Sequence, residues 1–294
     1  MNREARRPAD MRPGSGMGPS EVWVRLFLCA LSALAFLCAP PARAAPRRIV
    51  SLDYCADQFV LALADRDQIA AVSRGARRDD SYYRTRAVGL RQTRGTLEEV
   101  LMLRPDMVVR NWGGPWDSEA VYARFGVSVL QVGDAHDFAA ARADVIDAAR
   151  DLGHPARGEA LARDLDGRLA RLAVQTGLER PPVMYLSAGG AVAGRDVLMD
   201  AVINAAGGRN LRGEANWTVL PLERMVETPP ALIALGFFET GRTALNAWSP
   251  SRHPALRRAL AGARTVSLPA ATISCEAWYA IDAAEAIAAA LGRR

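Results

Sequence analysis

Hydrophobic residues recur at helical spacing in the middle of the chain, between residues 155 and 177. Four leucines fall three or four residues apart, so one side of the predicted helix is apolar and can pack on other elements. They are Leu161, Leu165, Leu169 and Leu172. Pro155 suits the first helical position and Gly177 suits the end. About 22 residues with a rise of 1.5 Å each would form a rod of roughly 33 Å, long enough to connect two halves of a protein.

The segments on either side of this helix resemble each other. Leu97-Glu98 precedes the helix and Leu222-Glu223 follows it, and in both copies a proline comes seven residues after the glutamate. The copies lie 125 residues apart, and each predicts a short helix, a break at the proline and a buried strand. We therefore expect two related lobes joined by the central helix.

Short apolar runs alternate with helical patterns in both lobes. Strands are predicted at residues 48–52, 69–72, 107–109, 127–132, 183–186, 232–236 and 265–268. Longer helices are predicted at 56–63, 138–152, 198–206, 254–260 and 283–291. This alternation is typical of parallel sheets covered by helices. The predicted fold is α/β, with two Rossmann-like lobes, each a parallel sheet flanked by helices, joined by one long rigid helix.

The predicted boundaries are a signal peptide at residues 1–44, an N-terminal lobe at 45–152, the linking helix at 153–178 and a C-terminal lobe at 179–294. In the leader, arginines precede an apolar run at 22–39, and Ala42-Arg43-Ala44 is a cleavage signal. The run contains Arg25 and is marginal for a membrane span, so we expect export and cleavage after Ala44. Met17 is an alternative start site.

Removal of the leader leaves the chain nearly neutral. The whole sequence has a formal net charge of +5, but the leader holds six arginines and three acidic residues. The rest has 31 basic and 29 acidic residues. A net charge of +2 provides no electrostatic footprint for nucleic acid.

Cys55 and Cys275 are the cysteines that remain after cleavage. Two cysteines in an exported chain favour a disulfide. The alternative is a pair of separate buried thiols that behave as small hydrophobic groups. The sequence does not decide between them.

Aromatic residues follow predicted strands in both lobes. In parallel α/β sheets, ligands bind beyond the carboxyl ends of the strands. The candidate ligand contacts chosen there are Asp53, Tyr54, Trp112, Trp116 and Trp278, and the loop residues Tyr82 and Tyr83 join them. Their recurrence suits a large, flat ligand held between the lobes, although any single ring could belong to the core.

A glycine-rich turn at 189–196 follows a predicted strand. A phosphate-binding loop needs Lys and then Ser or Thr after its last glycine, but Arg195 and Asp196 stand there. Nucleotide binding is therefore disfavoured, and Arg195 is a candidate anion contact. The three histidines of the chain are placed at helix starts or in connections, so we expect no histidine in the cleft and no directly bound metal ion.

Several motifs are shared with one protein family. They are Arg48-Ile49-Val50-Ser51-Leu52, Leu97-Glu98-Glu99-Val100, Arg104-Pro105-Asp106-Met107-Val108-Val109, Ala206-Gly207-Gly208-Arg209-Asn210-Leu211, Leu222-Glu223 and His253-Pro254-Ala255-Leu256. With the long central helix, they make residues 46–294 resemble the periplasmic substrate-binding proteins of ABC importers for cobalamin and ferric siderophores. The resemblance implies a monomeric periplasmic binding protein, not an enzyme, that captures a metal chelate between its lobes.

The resemblance also implies roles for single residues. In the family, one glutamate on each lobe forms a salt bridge with arginines of the importer's membrane subunits, and Glu98 and Glu223 stand at matching positions. Trp217 lies six residues before Glu223, as a ligand-contacting Trp does in the cobalamin binder. Cys55 and Cys275 resemble a subfamily with paired cysteines in the first and last cleft loops. No cofactor is expected, since the ligand itself would carry cobalt or iron.

Alternatives remain for the ligand and for the class of protein. Another ligand-contacting Trp of the cobalamin binder corresponds to a position near Gln92, so the choice among cobalamin, a ferric siderophore and heme stays open. A periplasmic enzyme using Asp53, Glu276 or the cysteines is a second hypothesis, and a direct receptor for a metal ion is a third. Glu98 and Glu223 could also be ordinary acids at helix starts.

Overall fold

The N-terminal lobe is built around a parallel sheet. The computed structural model describes residues 45–115, 117–175, 179–219, 229–239 and 254–292. The strands of this lobe are Ile49–Ser51 (β1), Ile69–Ser73 (β2), Gln92–Thr93 (β3), Met107–Arg110 (β4) and Ser128–Gln131 (β5). They lie in the order β3-β2-β1-β4-β5, and all neighbours are parallel. The helices are Tyr54–Leu63 (α1), Leu97–Met102 (α2), Glu119–Arg124 (α3) and Phe138–Asp151 (α4).

Successive residues of β4 face opposite sides of this sheet. Met107 and Val109 pack in the core that contains α1 and α4, whereas Val108 packs with Val100 of α2 and Tyr122 of α3. Both faces are covered, which explains why a central parallel strand has a continuous apolar sequence. Because the strands are parallel, the loops that follow β1 and β4 meet at one edge of the sheet.

The linking helix α5 extends over Pro155–Gln175. All four leucines of the predicted stripe are buried or half-buried and pack on the core, as expected. Gly158 allows α5 to approach α4 closely, because a Cβ atom there would lie 2.4 Å from Cβ of Ala149. Residues 176–178, the end of the predicted connection, lie outside the described residues.

The C-terminal lobe contains a second sheet with helices. Its strands are Pro182–Ser187 (β6), Ala191–Ala193 (β7), Arg209–Asn210 (β8), Trp217–Val219 (β9), Leu232–Gly236 (β10) and Thr265–Leu268 (β11). The order is β11-β10-β6-β7-β9, and β8 pairs with β6. The described helices are Leu198–Ala205 (α6), Pro254–Gly262 (α7), Ala270–Ile273 (α8) and Ile281–Ala290 (α9). The prediction of two α/β lobes is confirmed.

The second sheet is mixed rather than wholly parallel, which corrects one part of that prediction. Strands β6, β10 and β11 are parallel, but β7 runs antiparallel to β6 and β9 runs antiparallel to β7. Gly190 has a φ angle of +88°, which glycine adopts without strain, and the chain reverses there. The segment predicted as a loop after Ser187 therefore returns along the sheet. Among the described residues, no helix is long and apolar enough to cross a membrane.

Candidate functional site

Asp53 joins two loops at the carboxyl edge of the first sheet. It caps α1, and its Oδ1 accepts hydrogen bonds from the backbone N–H groups of Cys55 (3.1 Å) and Ala56 (2.8 Å). Its Oδ2 accepts from the N–H groups of Asn111 (2.8 Å), Trp112 (3.2 Å) and Gly113 (2.9 Å). The residue is only 2% exposed. This carboxylate organises the loops, so any contribution to ligand binding would be indirect.

Trp112 and Tyr54 form the aromatic edge that these loops carry. The Trp112 side chain is 59% exposed, and its ring lies edge-on to Tyr54 with centroids 5.7 Å apart. The guanidinium carbon of Arg78 lies 4.7 Å from the centroid of the Tyr54 ring. Partial burial and the nearby Asp80 charge raise the pKa of the Tyr54 phenol. An exposed indole that also packs against a second aromatic ring can stack on a flat ligand.

Trp217 provides an exposed ring on the C-terminal lobe. It begins β9, is 46% exposed and lies edge-on to the buried Tyr185, with centroids 5.6 Å apart. It also borders a small pocket. The other residues of that pocket are Leu198, Met199, Val202, Ile273, Cys275, Glu276 and Ala280. An aromatic surface is thus present on each lobe.

A disulfide connects the lobes beside these rings. Cys55 in α1 is bonded to Cys275, which follows α8, and their Cα atoms are 5.5 Å apart. This resolves the alternative between a disulfide and two free thiols. The neighbouring Ser274 donates from Oγ to the carbonyl oxygen of Asp80 (2.7 Å), and its own carbonyl accepts from the Tyr54 hydroxyl (3.5 Å). The first and last loops of the cleft are therefore held together.

Glu276 lies next to this bridge and is half-buried. Burial raises the pKa of its carboxyl, the Asp134 charge raises it further, and His136 lowers it. His136 is exposed in the loop between β5 and α4, so it lies in a connection, as predicted. The enzyme hypothesis that uses Asp53 is disfavoured, since its carboxylate already accepts hydrogen bonds from five backbone N–H groups.

Three predicted ligand contacts lie in packed surroundings. Trp278 is 5% exposed and packs edge-on against Phe59 at 5.0 Å, so it belongs to the core. Tyr82 stacks on Tyr279, and Tyr83 lies edge-on to Tyr82 at 4.9 Å. These rings join the N-terminal lobe to the segment that precedes α9. The recurrence of aromatic residues reflects packing between lobes as well as an exposed site.

The tyrosine contacts continue into an ionic cluster on the linking helix. Arg168 of α5 donates to Asp282 (2.6 Å) and makes two bonds to Glu285 (2.8 and 2.6 Å). Asp282 also accepts from the Tyr82 hydroxyl at 2.7 Å. The bonds to Glu285 and Asp282 raise the pKa of the guanidinium, and the bond from Arg168 lowers the pKa of Glu285. Both lobes and the linking helix meet in this cluster.

The remaining candidates are placed as follows. Arg195 is exposed, and its Nε donates to the carbonyl oxygen of Gly213 at 2.6 Å. Glu98 is exposed on α2, directly after the residue that begins this helix. Trp116 and Glu223 lie outside the described residues. Within the described ranges, no group of three or more His, Cys, Asp or Glu side chains could hold a metal ion.

Sequence reasoning gave no role to the buried pair Asp57 and Gln58. Asp57 accepts from the backbone N–H (3.0 Å) and hydroxyl (2.6 Å) of Ser73, and burial raises its pKa to about 6. Gln58 donates to Ser81 Oγ (2.9 Å) and accepts from the N–H of Tyr83 (2.8 Å). These bonds fix the loop after β2. Their only sequence signal was two polar residues inside an otherwise apolar helix pattern.

Comparison with known proteins gives consistent results. Residues 49–236 match the family described as "Periplasmic binding protein". A cobalamin-binding protein from Halobacterium salinarum is 28% identical over 204 residues, which cover 65% of this chain and 54% of the relative. The chain thus spans about half the length of the curated relatives it matches.

Solved structures share the fold. A periplasmic heme-binding protein from Pseudomonas aeruginosa aligns with a TM-score of 0.64 and 25% identity, over 83% of this chain and 92% of the other. A periplasmic vitamin B12 binding protein of Vibrio cholerae aligns with a TM-score of 0.61 over 84% of this chain and 97% of the other. Its identity is 20%, so this likeness shows the fold alone.

Proposed function

The chain belongs to the periplasmic binding protein family, and we propose that it captures a metal chelate between its lobes and delivers it to an ABC importer. The chelate would be cobalamin or a ferric siderophore, with its cobalt or iron carried by the ligand. The protein would act in the periplasm after loss of residues 1–44.

One observation carries this proposal: each lobe presents an exposed indole next to the bridge that joins the lobes. Trp112 and Trp217 are 59% and 46% exposed, although tryptophan is usually well buried. Rings displayed in this way can stack on a planar, partly apolar ligand. The half-buried Glu276, which lines the same pocket as Trp217, would supply a polar contact for amide or hydroxyl groups.

Capture would be recognition without chemistry. The disulfide and the Arg168 cluster tie the lobes together, so the cleft is largely formed before the ligand arrives. Pre-formed sites lose less conformational entropy on binding than sites that must be ordered. Release would then require the membrane subunits of the importer.

Heme is the second candidate ligand. It is favoured by the structural likeness to a heme-binding protein at 25% identity, while cobalamin is favoured by the curated relative. Gln92, near the position of a ligand-contacting Trp in the cobalamin binder, lies in the short strand β3 and leaves one contact to be replaced. Trp112 has an exposed ring and is the proposed replacement for that contact.

Docking to the membrane subunits would use Glu98, together with Glu223 on the other lobe. Glu98 is exposed and makes no hydrogen bond or ion pair among those described for the protein. An exposed carboxylate is available to an arginine of a partner, and such charge-assisted bonds are strong. The proposal therefore predicts transport defects without binding defects.

Fluorescence titration tests the proposed function. Protein exported with its own leader and purified from the periplasm would be titrated with cyanocobalamin, hemin and a ferric hydroxamate siderophore. Saturable quenching by one probe at about micromolar concentration, a dissociation free energy near 8 kcal/mol, is expected. Trp112→Ala and Trp217→Ala should each weaken binding, whereas Phe125→Ala, an exposed ring beyond α3, should not. Turnover of a chelate by the purified protein, or no binding of any probe, would contradict the proposal.

A further inference from the structure

The disulfide occupies a special place relative to the two exposed rings. Cys55 directly follows Tyr54, whose ring supports Trp112 at 5.7 Å. Cys275 lines the same pocket as Trp217. A single covalent bond is therefore adjacent to the aromatic surface of each lobe. It therefore differs from a disulfide whose two cysteines lie in the same lobe.

The other contacts in this region are weaker and lie along one seam. The seam consists of Tyr54, Asp80 and Tyr82 on the N-terminal lobe and Ser274, Tyr279 and Asp282 on the C-terminal lobe. A typical hydrogen bond contributes little net free energy in water, so these contacts can break and reform individually. The disulfide cannot do so. Breaking it would leave the lobes joined through the Arg168 cluster and the packing of Trp278 on Phe59, while the cleft side would be held by the seam contacts without a covalent bond.

We infer that the Cys55–Cys275 disulfide is a positioning element of the ligand cleft, and that its reduction by a dithiol weakens ligand capture. The inference rests on the proposed function, since it concerns the same cleft. It assigns to the bridge a role beyond stability: it fixes the spacing between Trp112 and Trp217.

Reduction follows ordinary thiol–disulfide exchange. A dithiol thiolate attacks one of the two Sγ atoms, the Cys55–Cys275 bond breaks, and the other cysteine leaves as a thiolate. The second thiol of the reagent then displaces the first cysteine and closes a cyclic disulfide. Two electrons pass to the protein, and the two protons of the dithiol end on Cys55 and Cys275. Each cysteine is 7% exposed, so the reaction should be slow unless the seam opens.

The expected consequence is a loss of affinity. In the oxidised protein the two rings are held at a fixed spacing, whereas in the reduced protein this spacing must be restored on binding. We expect affinity to fall by about tenfold, which corresponds to about 1.4 kcal/mol. Re-oxidation should restore it.

The test compares three forms of the full exported protein. These are oxidised protein, protein reduced with dithiothreitol and then desalted without oxygen, and the Cys55→Ser plus Cys275→Ser variant. Each would be titrated with cyanocobalamin, hemin and a ferric hydroxamate siderophore at a temperature where far-ultraviolet circular dichroism shows the native fold. The reduced protein and the variant should show equally weakened binding of the probe that the oxidised protein binds. Reductant treatment of the variant should change nothing further.

A second readout separates positioning from stability. Amide hydrogen exchange without ligand should increase on reduction in the seam, around residues 54–58 and 274–282, and stay unchanged in β4. Equal affinity of all three forms, with only a lower unfolding midpoint for the reduced one, would overturn the inference. If the wild type resists reduction, the variant alone decides. Failure of every form to bind any probe would instead contradict the proposed function, and increased exchange would then still show the seam to be coupled to the bridge.

Discussion

The Tyr82 hydroxyl donates a 2.7 Å hydrogen bond to Asp282 while its ring stacks on Tyr279, with centroids 4.2 Å apart and planes inclined by 13°. Tyr82 belongs to the N-terminal lobe and its two partners to the C-terminal lobe. One side chain thus makes both a polar and an apolar contact across the lobes. The carboxylate it meets is also bound by Arg168 of the linking helix.

Tyr82→Phe should separate these two contributions. The variant keeps the ring stack but removes the hydrogen bond to a charged acceptor, so the free energy of unfolding should fall by about 1.5 kcal/mol. Urea denaturation would measure this. In combination with Asp282→Asn the loss should be less than additive, because both changes remove the same bond. Full additivity would show that the bond contributes nothing.

Asp53→Asn should loosen the loop that carries Trp112. The amide has one acceptor oxygen, so some of the five N–H groups now bound by the carboxylate would lose their partner. Each unsatisfied buried donor costs about 1–3 kcal/mol, and we expect a loss of about 3 kcal/mol in unfolding free energy. Acrylamide quenching should also show a more accessible Trp112. Asp67→Asn, an exposed acid of the same lobe, is the control and should change neither quantity.

Asp57 should make stability depend on pH in an unusual direction. Burial raises its pKa from 3.8 to about 6 in the folded protein, so between these values the folded state binds the proton more tightly than the unfolded state. Its stabilising contribution is therefore complete below pH 3.8 and is lost as pH rises through about 6. The change amounts to about 3 kcal/mol.

Unfolding of the wild type and Asp57→Asn between pH 4 and 7 would test this. The stability of the wild type relative to the variant should decrease as pH rises, because the variant has no carboxyl to ionise. Carboxylates with a lowered pKa, such as Glu285, make stability increase as pH rises. Both proteins contain them, so their contribution cancels in the comparison. A difference that stays constant with pH would rule out an elevated pKa at Asp57.

Glu98→Ala combined with Glu223→Ala should abolish transport and leave ligand affinity unchanged. Loss of these carboxylates removes the proposed partners of arginines on the membrane subunits, and neither glutamate is a proposed ligand contact. Transport would be measured as growth of cells for which the ligand is the sole source of iron or cobalamin. Affinity would be measured by fluorescence titration. Glu119→Ala, an exposed acid on α3, is the matched control. Normal transport by the double variant would contradict the docking role.

Hydrophobic periodicity predicted the parallel strands and the long helices, because their buried residues are apolar and recur at regular spacing. Met107, Val108 and Val109 are apolar since both sides of the sheet are covered. Strands β3, β7, β8 and β9 were missed, because they are two or three residues long and depend on a neighbouring strand. Such pairing comes from tertiary structure and leaves little local signal.

Residue type predicted the aromatic site only in part. Trp112 and Trp278 are the same amino acid after a predicted strand or loop, yet one is 59% exposed and the other 5%. The difference depends on Phe59, which packs against Trp278 but lies more than 200 residues earlier in the sequence, so no local pattern connects the two. The role of Asp53 could not be predicted either. A carboxylate that follows a strand is compatible with a ligand contact and also with a role in fixing loops.

The contacts that join the lobes depend on residues that are synthesised after both described sheets. Cys275, Tyr279, Asp282 and Glu285 all follow β11, whereas their partners Cys55, Tyr82 and Arg168 emerge much earlier. A ribosome that stops before Cys275 would release a chain able to complete its first sheet but none of these contacts. Such a truncated protein would retain a free Cys55, and its lobes would be connected through α5 without these contacts. Synthesis of residues 275–285 thus decides whether the two lobes can be held together, before any ligand is met.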